Sequence, residues 1–123
     1  MNAIEQMHQH RSIRRYKPDP VSEDVLNEIL EAGIRASSSG NMQSYSLIVT
    51  RDPDLKQELL EPHLQQRMVV EAPVLITFCA DFNRMRRWLA LSEAPANFDN
   101  FFSFLVGAID AVLVSQNEAL AAA

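Results

Sequence analysis

Pro73-Val74-Leu75-Ile76-Thr77-Phe78-Cys79-Ala80 is the segment on which the fold turns. It is rich in β-formers and apolar without clear alternation, the pattern of a central strand covered on both faces. Upstream, Tyr45-Ser46-Leu47-Ile48-Val49-Thr50 reads as a second strand, with partial alternation and a stop at Asp52-Pro53. Between them, residues 54–61 read as a short helix. Downstream, Phe82 to Leu91 reads as a helix carrying Arg84, Arg86 and Arg87, and Ser92 to Ala96, with Pro95, as a loop.

From Phe98 a long helix follows, with Phe102, Leu105, Ile109, Val112 and Gln116 on one stripe. Phe101, Phe104, Ala108, Ala111 and Ser115 form a neighbouring stripe. Such a helix is apolar nearly all round and needs burial on several sides or at a subunit interface. Gly107, Ala108 and Ala111 would let another helix approach closely. The helix runs into Ala121-Ala122-Ala123 without a capping glycine, so the sequence reads as one partial domain, residues 1–123, ending inside its most apolar helix.

At the other end, Ile4, Met7 and His8 fall at helical spacing and suggest a short opening helix that stops before a basic run. Lys17-Pro18-Asp19-Pro20 enforces an extended or turning segment, because each proline disfavours helix in the residue before it. Ser22 is a candidate N-cap, Glu23 and Asp24 complement the helix dipole, and Val25, Leu26, Ile29, Leu30 and Gly33 supply a stripe to about Arg35. Ala36 to Asn41 is a loop by composition.

The net charge of −5 disfavours a general nucleic-acid role, so anion binding requires a local basic patch. The single cysteine, Cys79, allows neither an intramolecular disulfide nor a cysteine metal cluster. The opening residues lack a signal-peptide core. The longest apolar stretch, Phe104 to Val114, is broken by Asp110 and falls short of the roughly 20 residues that span a bilayer. A soluble, cytoplasmic protein is the simplest expectation.

Two segments could carry chemistry. In His10-Arg11-Ser12-Ile13-Arg14-Arg15-Tyr16-Lys17, four of the eleven Lys and Arg residues are concentrated between positions 11 and 17. Guanidinium forks suit phosphate, and histidine, serine and backbone N–H groups add donors. The plainer reading is that these cations follow a helix C-terminus and offset its dipole. Ser37-Ser38-Ser39-Gly40-Asn41-Met42-Gln43 could wrap a polar, planar ligand, although such composition is also ordinary in connectors. Cys79, within a strand and without an activating cation, reads as a small core hydrophobe. His8, His10 and His63 have no metal-site spacing, since His8 and His10 do not share a helix face.

In this order, the two segments resemble the nitroreductase family, most closely its NADPH-dependent nitroreductase and flavin reductase branch. The resemblance continues through Phe78-Cys79-Ala80-Asp81, Phe82-Asn83-Arg84 and Ser115-Gln116-Asn117-Glu118-Ala119-Leu120-Ala121-Ala122, and so covers essentially the whole chain. It implies an α+β fold, with a central, mostly antiparallel sheet flanked by helices, and an obligate-type homodimer built on a long apolar interface helix. It also implies FMN as cofactor and NAD(P)H as electron donor. The implied activity passes electrons to nitroaromatics, quinones or flavins by a two-step exchange, with no catalytic residue required of the protein. By resemblance, His10, Arg11 and Arg14 face the FMN phosphate and Ser12 lies near the flavin or ribityl chain. Ser38 lies against the isoalloxazine ring, and Gln66 hydrogen-bonds the cofactor. Family members run to about twice this length, adding a strand and a basic Lys-x-Arg pair, so the expectation here is an incomplete sheet and weak or absent FMN binding. The alternative is a degenerate nitroreductase-like dimer without turnover.

Overall fold

The computed structural model describes residues 2–97 and 99–123. Helix α1 (Ala3–Gln9) begins with a reciprocal cap: the Asn2 side chain accepts from the Glu5 N–H, and the Glu5 carboxylate accepts from the Asn2 N–H, both at 3.0 Å. The basic run beyond it is extended and exposed, as its prolines dictate. Helix α2 (Glu23–Ile34) is capped as expected, the Ser22 hydroxyl accepting from the Val25 N–H at 3.3 Å. Strand β1 (Tyr45–Thr50) has its expected limits, and α3 (Pro53–Glu58) starts on an Asp52 cap with proline at its first position. A single helical turn, α4 (Met68–Glu71), was not legible in the sequence, because four residues cannot display a period.

Strand β2 (Leu75–Ala80) pairs antiparallel with β1, from Tyr45 opposite Ala80 to Thr50 opposite Leu75. Helix α5 (Phe82–Leu91) opens on an Asp81 cap, and α6 (Phe101–Ala121) on an Asn100 cap. The start expected at Phe98 lies outside the described residues. The result is an α+β arrangement in which, among the described residues, the sheet has two strands.

Helix α6 crosses this ribbon and also packs along α2. Tyr45, Ala111 and Val114 form the buried centre, with Ala36, Leu47 and Phe78 around it. Leu47 and Phe78 are register partners and therefore share the face toward α6, whereas Ile48, on the alternate face, is 54% exposed. Two-sided cover for β2, expected from its apolar composition, is thus not realised, and Leu75 to Cys79 are half-buried.

The buried face of α6 takes only Ala111 from the two apolar stripes. It consists of Ser103, Val106, Gly107, Asp110, Ala111, Val114 and Glu118, while Phe101, Phe102, Phe104, Ile109 and Val112 are exposed. Small residues on the inner face let α6 lie directly on the ribbon. A Cβ at Gly107 would sit 3.1 Å from the Ser44 carbonyl oxygen and 3.3 Å from Ala80 Cβ. Gly107 therefore admits the strand ends and also the start of α5, since the same Cβ would sit 3.3 Å from Phe82 Cδ2. A second close helix approach is made at Gly33 of α2, where a Cβ would fall 2.4 Å from Glu118 Oε1. By length and composition α6 could cross a membrane, but its inward face carries two carboxylates and is packed on protein.

Lys56 of α3 is buried, and its Nζ donates to the carbonyls of Val70 at 3.3 Å and Ala72 at 2.7 Å. This ammonium ties α3 to the approach of β2. Lys56→Met, which keeps the stem and removes the donor, is expected to cost about 2 kcal/mol in urea unfolding, the worth of charge-assisted bonds to carbonyls left otherwise unpaired. A loss below about 0.5 kcal/mol would mean that water replaces the ammonium without penalty.

Candidate functional site

The basic run starts where α1 ends, so its side chains project beside whatever α1 packs against. That neighbour is the last turn of α6: Gln6 Nε2 donates to the Leu120 carbonyl at 3.0 Å. His10, Arg11 and Ser12 line one open cleft of about 470 Å³ with Gln6, Tyr16 and Ala119. Arg14 is exposed on the same segment, outside the lining of this cleft. The cleft abuts the C-terminal turn of α6, the negative end of its dipole. Part of the positive charge of Arg11 is therefore offset locally, and the remainder, with the His10 and Ser12 donors, is available to an anion.

The serine loop follows α2 and is held to the middle of α6. Ser38 Oγ donates to Asp110 Oδ2 at 3.0 Å, and the Ser39 N–H donates to Asp110 Oδ1 at 3.0 Å. Ser38 Oγ in turn accepts from the Gln43 N–H at 2.7 Å. Asp110 is fully buried. Within the loop Gly40, Asn41 and Gln43 have φ of 56°, 53° and 51°, a left-handed conformation that only the glycine adopts freely. Arg84 of α5 secures the far end by donating to the Gln43 carbonyl. The Asp81 carboxyl at the foot of α5 is held below its ordinary value of 3.8, chiefly by the Ser46 hydroxyl and then by the Arg84 N–H.

Gln66 is an exposed residue on the turn between α3 and α4, where Leu64 and Gln65 are left-handed. Among the described residues its side chain makes no hydrogen bond to the basic run or the serine loop. The structure thus gathers His10, Arg11 and Ser12 at one end of α6 and fixes Ser38 at its middle. Arg14 is carried alongside the former, and Gln66 stands apart. Asp110 and Ala119 are nine residues apart on α6, a rise of roughly 13 Å at 1.5 Å per residue. Sequence reasoning missed Asp110 as a site residue, although an acidic residue in the apolar middle of a helix is a signal, since Asp is almost never fully buried without donors to hold it.

The pattern of the nitroreductase family matches residues 7–96. The chain belongs to the nitroreductase family. A relative, the NADPH-dependent oxidoreductase of Staphylococcus saprophyticus, is 38% identical over 115 residues, covering 92% of this chain and 45% of that protein. Among solved structures, NfrA2 of B. megaterium superposes with a TM-score of 0.93 at 38% identity, over 99% of this chain and 50% of that one. The NADPH:FMN oxidoreductase of Vibrio harveyi, complexed with NAD+, superposes with a TM-score of 0.88 at 31% identity, over 98% and 50%. The chain therefore spans about half the length of the relatives it matches. It is homologous to NAD(P)H-dependent oxidoreductases, and its two-stranded ribbon with surrounding helices is a nitroreductase-like α+β fold.

Proposed function

We propose that this chain carries the phosphate end and the serine loop of an FMN site, in a homodimeric, cytoplasmic oxidoreductase. The full activity would pass electrons from NAD(P)H to nitroaromatics, quinones or flavins by a two-step exchange. The observation that carries the reading is the placement of two polar segments along α6. His10, Arg11 and Ser12 surround a cleft at its C-terminal end, and the serine loop is fixed roughly 13 Å back along the axis. An elongated ligand, anionic at one end and planar at the other, suits that spacing.

The donors present fit a phosphate: Arg11 and Arg14 offer forked N–H groups, and Ser12 and His10 add shorter-range donors. FMN, when bound, supplies a ring that accepts hydride and returns electrons. The chain's own residues bind the phosphate, and the serine loop offers a shaped polar wall for the ring. Gln66 enters this reading as a residue that would hydrogen-bond the cofactor. Because the cations also offset the negative end of α6, binding by this chain alone is expected to be weak.

Titration of FMN fluorescence with the purified chain tests the reading. Weak, saturable quenching is expected, and Arg14→Ala is expected to weaken it roughly fivefold to tenfold, a modest factor for an exposed guanidinium. Unchanged affinity in Arg14→Ala would return the basic run to the role of a helix-end counter-charge. A second reading, a dimer without turnover, draws on Ser38, whose hydroxyl hydrogen is already given to Asp110. Under it, phosphate compounds raise the melting temperature while NAD(P)H is not consumed.

A further inference from the structure

We propose that Asp110 is a positioning residue: from the middle of α6 its carboxylate sets the conformation of the serine loop and takes up the Ser38 hydroxyl hydrogen, so that Ser38 meets a flavin without donating to it. The second half of this statement rests on the flavin reading above; the first does not.

Asp110 is fully buried, and among the described residues no Lys, Arg or His forms an ion pair with it. A carboxylate in that position is tolerated only if donors hold it. Its two donors come from consecutive loop residues, the Ser38 hydroxyl and the Ser39 N–H, one to each oxygen. The loop cannot swing away from α6 without stranding the charge. The same tether lets the loop keep conformations that its residues would otherwise leave. Asn41 and Gln43 are left-handed without being glycine, and such strain persists only where surrounding structure over-determines it. Asp110 secures the entry to this stretch, and Arg84 its exit at the Gln43 carbonyl.

Hydrogen-bond accounting at Ser38 then limits its chemistry. A hydroxyl has one hydrogen, and here it goes to Asp110. One lone pair receives the Gln43 N–H. What remains for a ligand is van der Waals contact and one weakly directed lone pair. The loop's shape, not the Ser38 donor, would therefore govern recognition, and that shape is written in Asp110.

Amide exchange followed by NMR in the full chain, with Asp110→Asn, tests the first half. Ser39 and Gln43 are expected to exchange at least about tenfold faster, while Ala111 and Val114 on the same helix keep their protection. Unchanged rates at Ser39 and Gln43, or an equal rise throughout α6, would overturn the positioning role. Should Asp110→Asn fail to fold, Ser38→Ala reads the same tether: Gln43 is expected to lose protection and Ser39 to keep it, and retained protection at Gln43 counts against the proposal. The second half is read by FMN titration of Asp110→Asn, Ser38→Ala and the double variant. Shared loss, with the double variant no weaker than the worse single one, is expected when both changes cut one bond. Additive losses would show that Ser38 donates to the flavin independently, overturning that half. If no protein, wild type included, binds FMN at millimolar concentration, the flavin reading and that half fall together, while the exchange rates still decide the tether.

Discussion

Raising the pH from about 4.5 to about 8 is expected to remove about 3 kcal/mol of folding stability, and to do so through one side chain. Glu118 is 3% exposed, and neither carboxylate oxygen has a hydrogen-bond partner among the described residues. Its side chain lies against Gly33, where even a methyl group would collide with it. Burial pushes its carboxyl from the ordinary 4.5 up to about 7. Between those values the folded chain keeps a proton that the unfolded chain has released, so stability falls as pH rises and levels off once both states are ionised. At 1.36 kcal/mol per pH unit, the interval from 4.5 to about 7 gives the figure of about 3 kcal/mol.

Asp81 acts in the opposite sense and elsewhere. Its lowered carboxyl contributes stability above 3.8 that is lost as pH falls below that value. Urea unfolding of the wild type and Glu118→Gln across this range separates the two. The variant is expected to lack the downward slope and to exceed the wild type by about 1–3 kcal/mol near pH 8, a neutral amide being cheaper to bury than a charge. A wild-type profile that is flat or rises through this window would refute the assignment.

The second large effect concerns the outer face of α6. Phe101, Phe102 and Val112 are 74%, 68% and 64% exposed, and Phe104 and Ile109 lie between them. So large an apolar strip on one helix marks an interaction surface, and the proposed occupant is the same strip on a second copy. Sedimentation equilibrium is expected to show a dimer in the wild type. Val112→Arg, which places a charge on the strip at the middle of α6, is expected to weaken association on the order of 100-fold, about 3 kcal/mol, the scale of a buried interface residue. A monomeric wild type at about 100 μM, or a Val112→Arg chain that dimerises as well as its parent, would rule this surface out.

The legible parts of this fold were those with local causes. The end of β1 followed from Asp52-Pro53, the end of α5 from the loop starting at Ser92, and the α2 cap from Ser22. What escaped depends on tertiary contact. Stripes on α6 say how apolar a face is, not which face the ribbon takes, and the ribbon took the smaller side chains because Ser44 and Ala80 come too close for larger ones at Gly107. Apolar composition in β2 asks for two covers, whereas in this chain α6 supplies one. In the candidate site the arginines and serines were visible as residue types. The Asp110 tether joins residues more than 70 positions apart and could be seen only once α6 was laid beside the loop.

The two-stranded ribbon also has a consequence for handling the protein. β1 and β2 each pair on one side only among the described residues, so each leaves an outer row of backbone N–H and C=O groups, beside the exposed Ile48 and Val49. Such a row is a template: a third strand can add to it, then a fourth, with no closed symmetry to stop the series. At high concentration the chain faces a race between closed pairing of copies through α6 and open-ended accretion through the ribbon. Which one wins will decide whether a stored solution stays clear or slowly clouds into fibre.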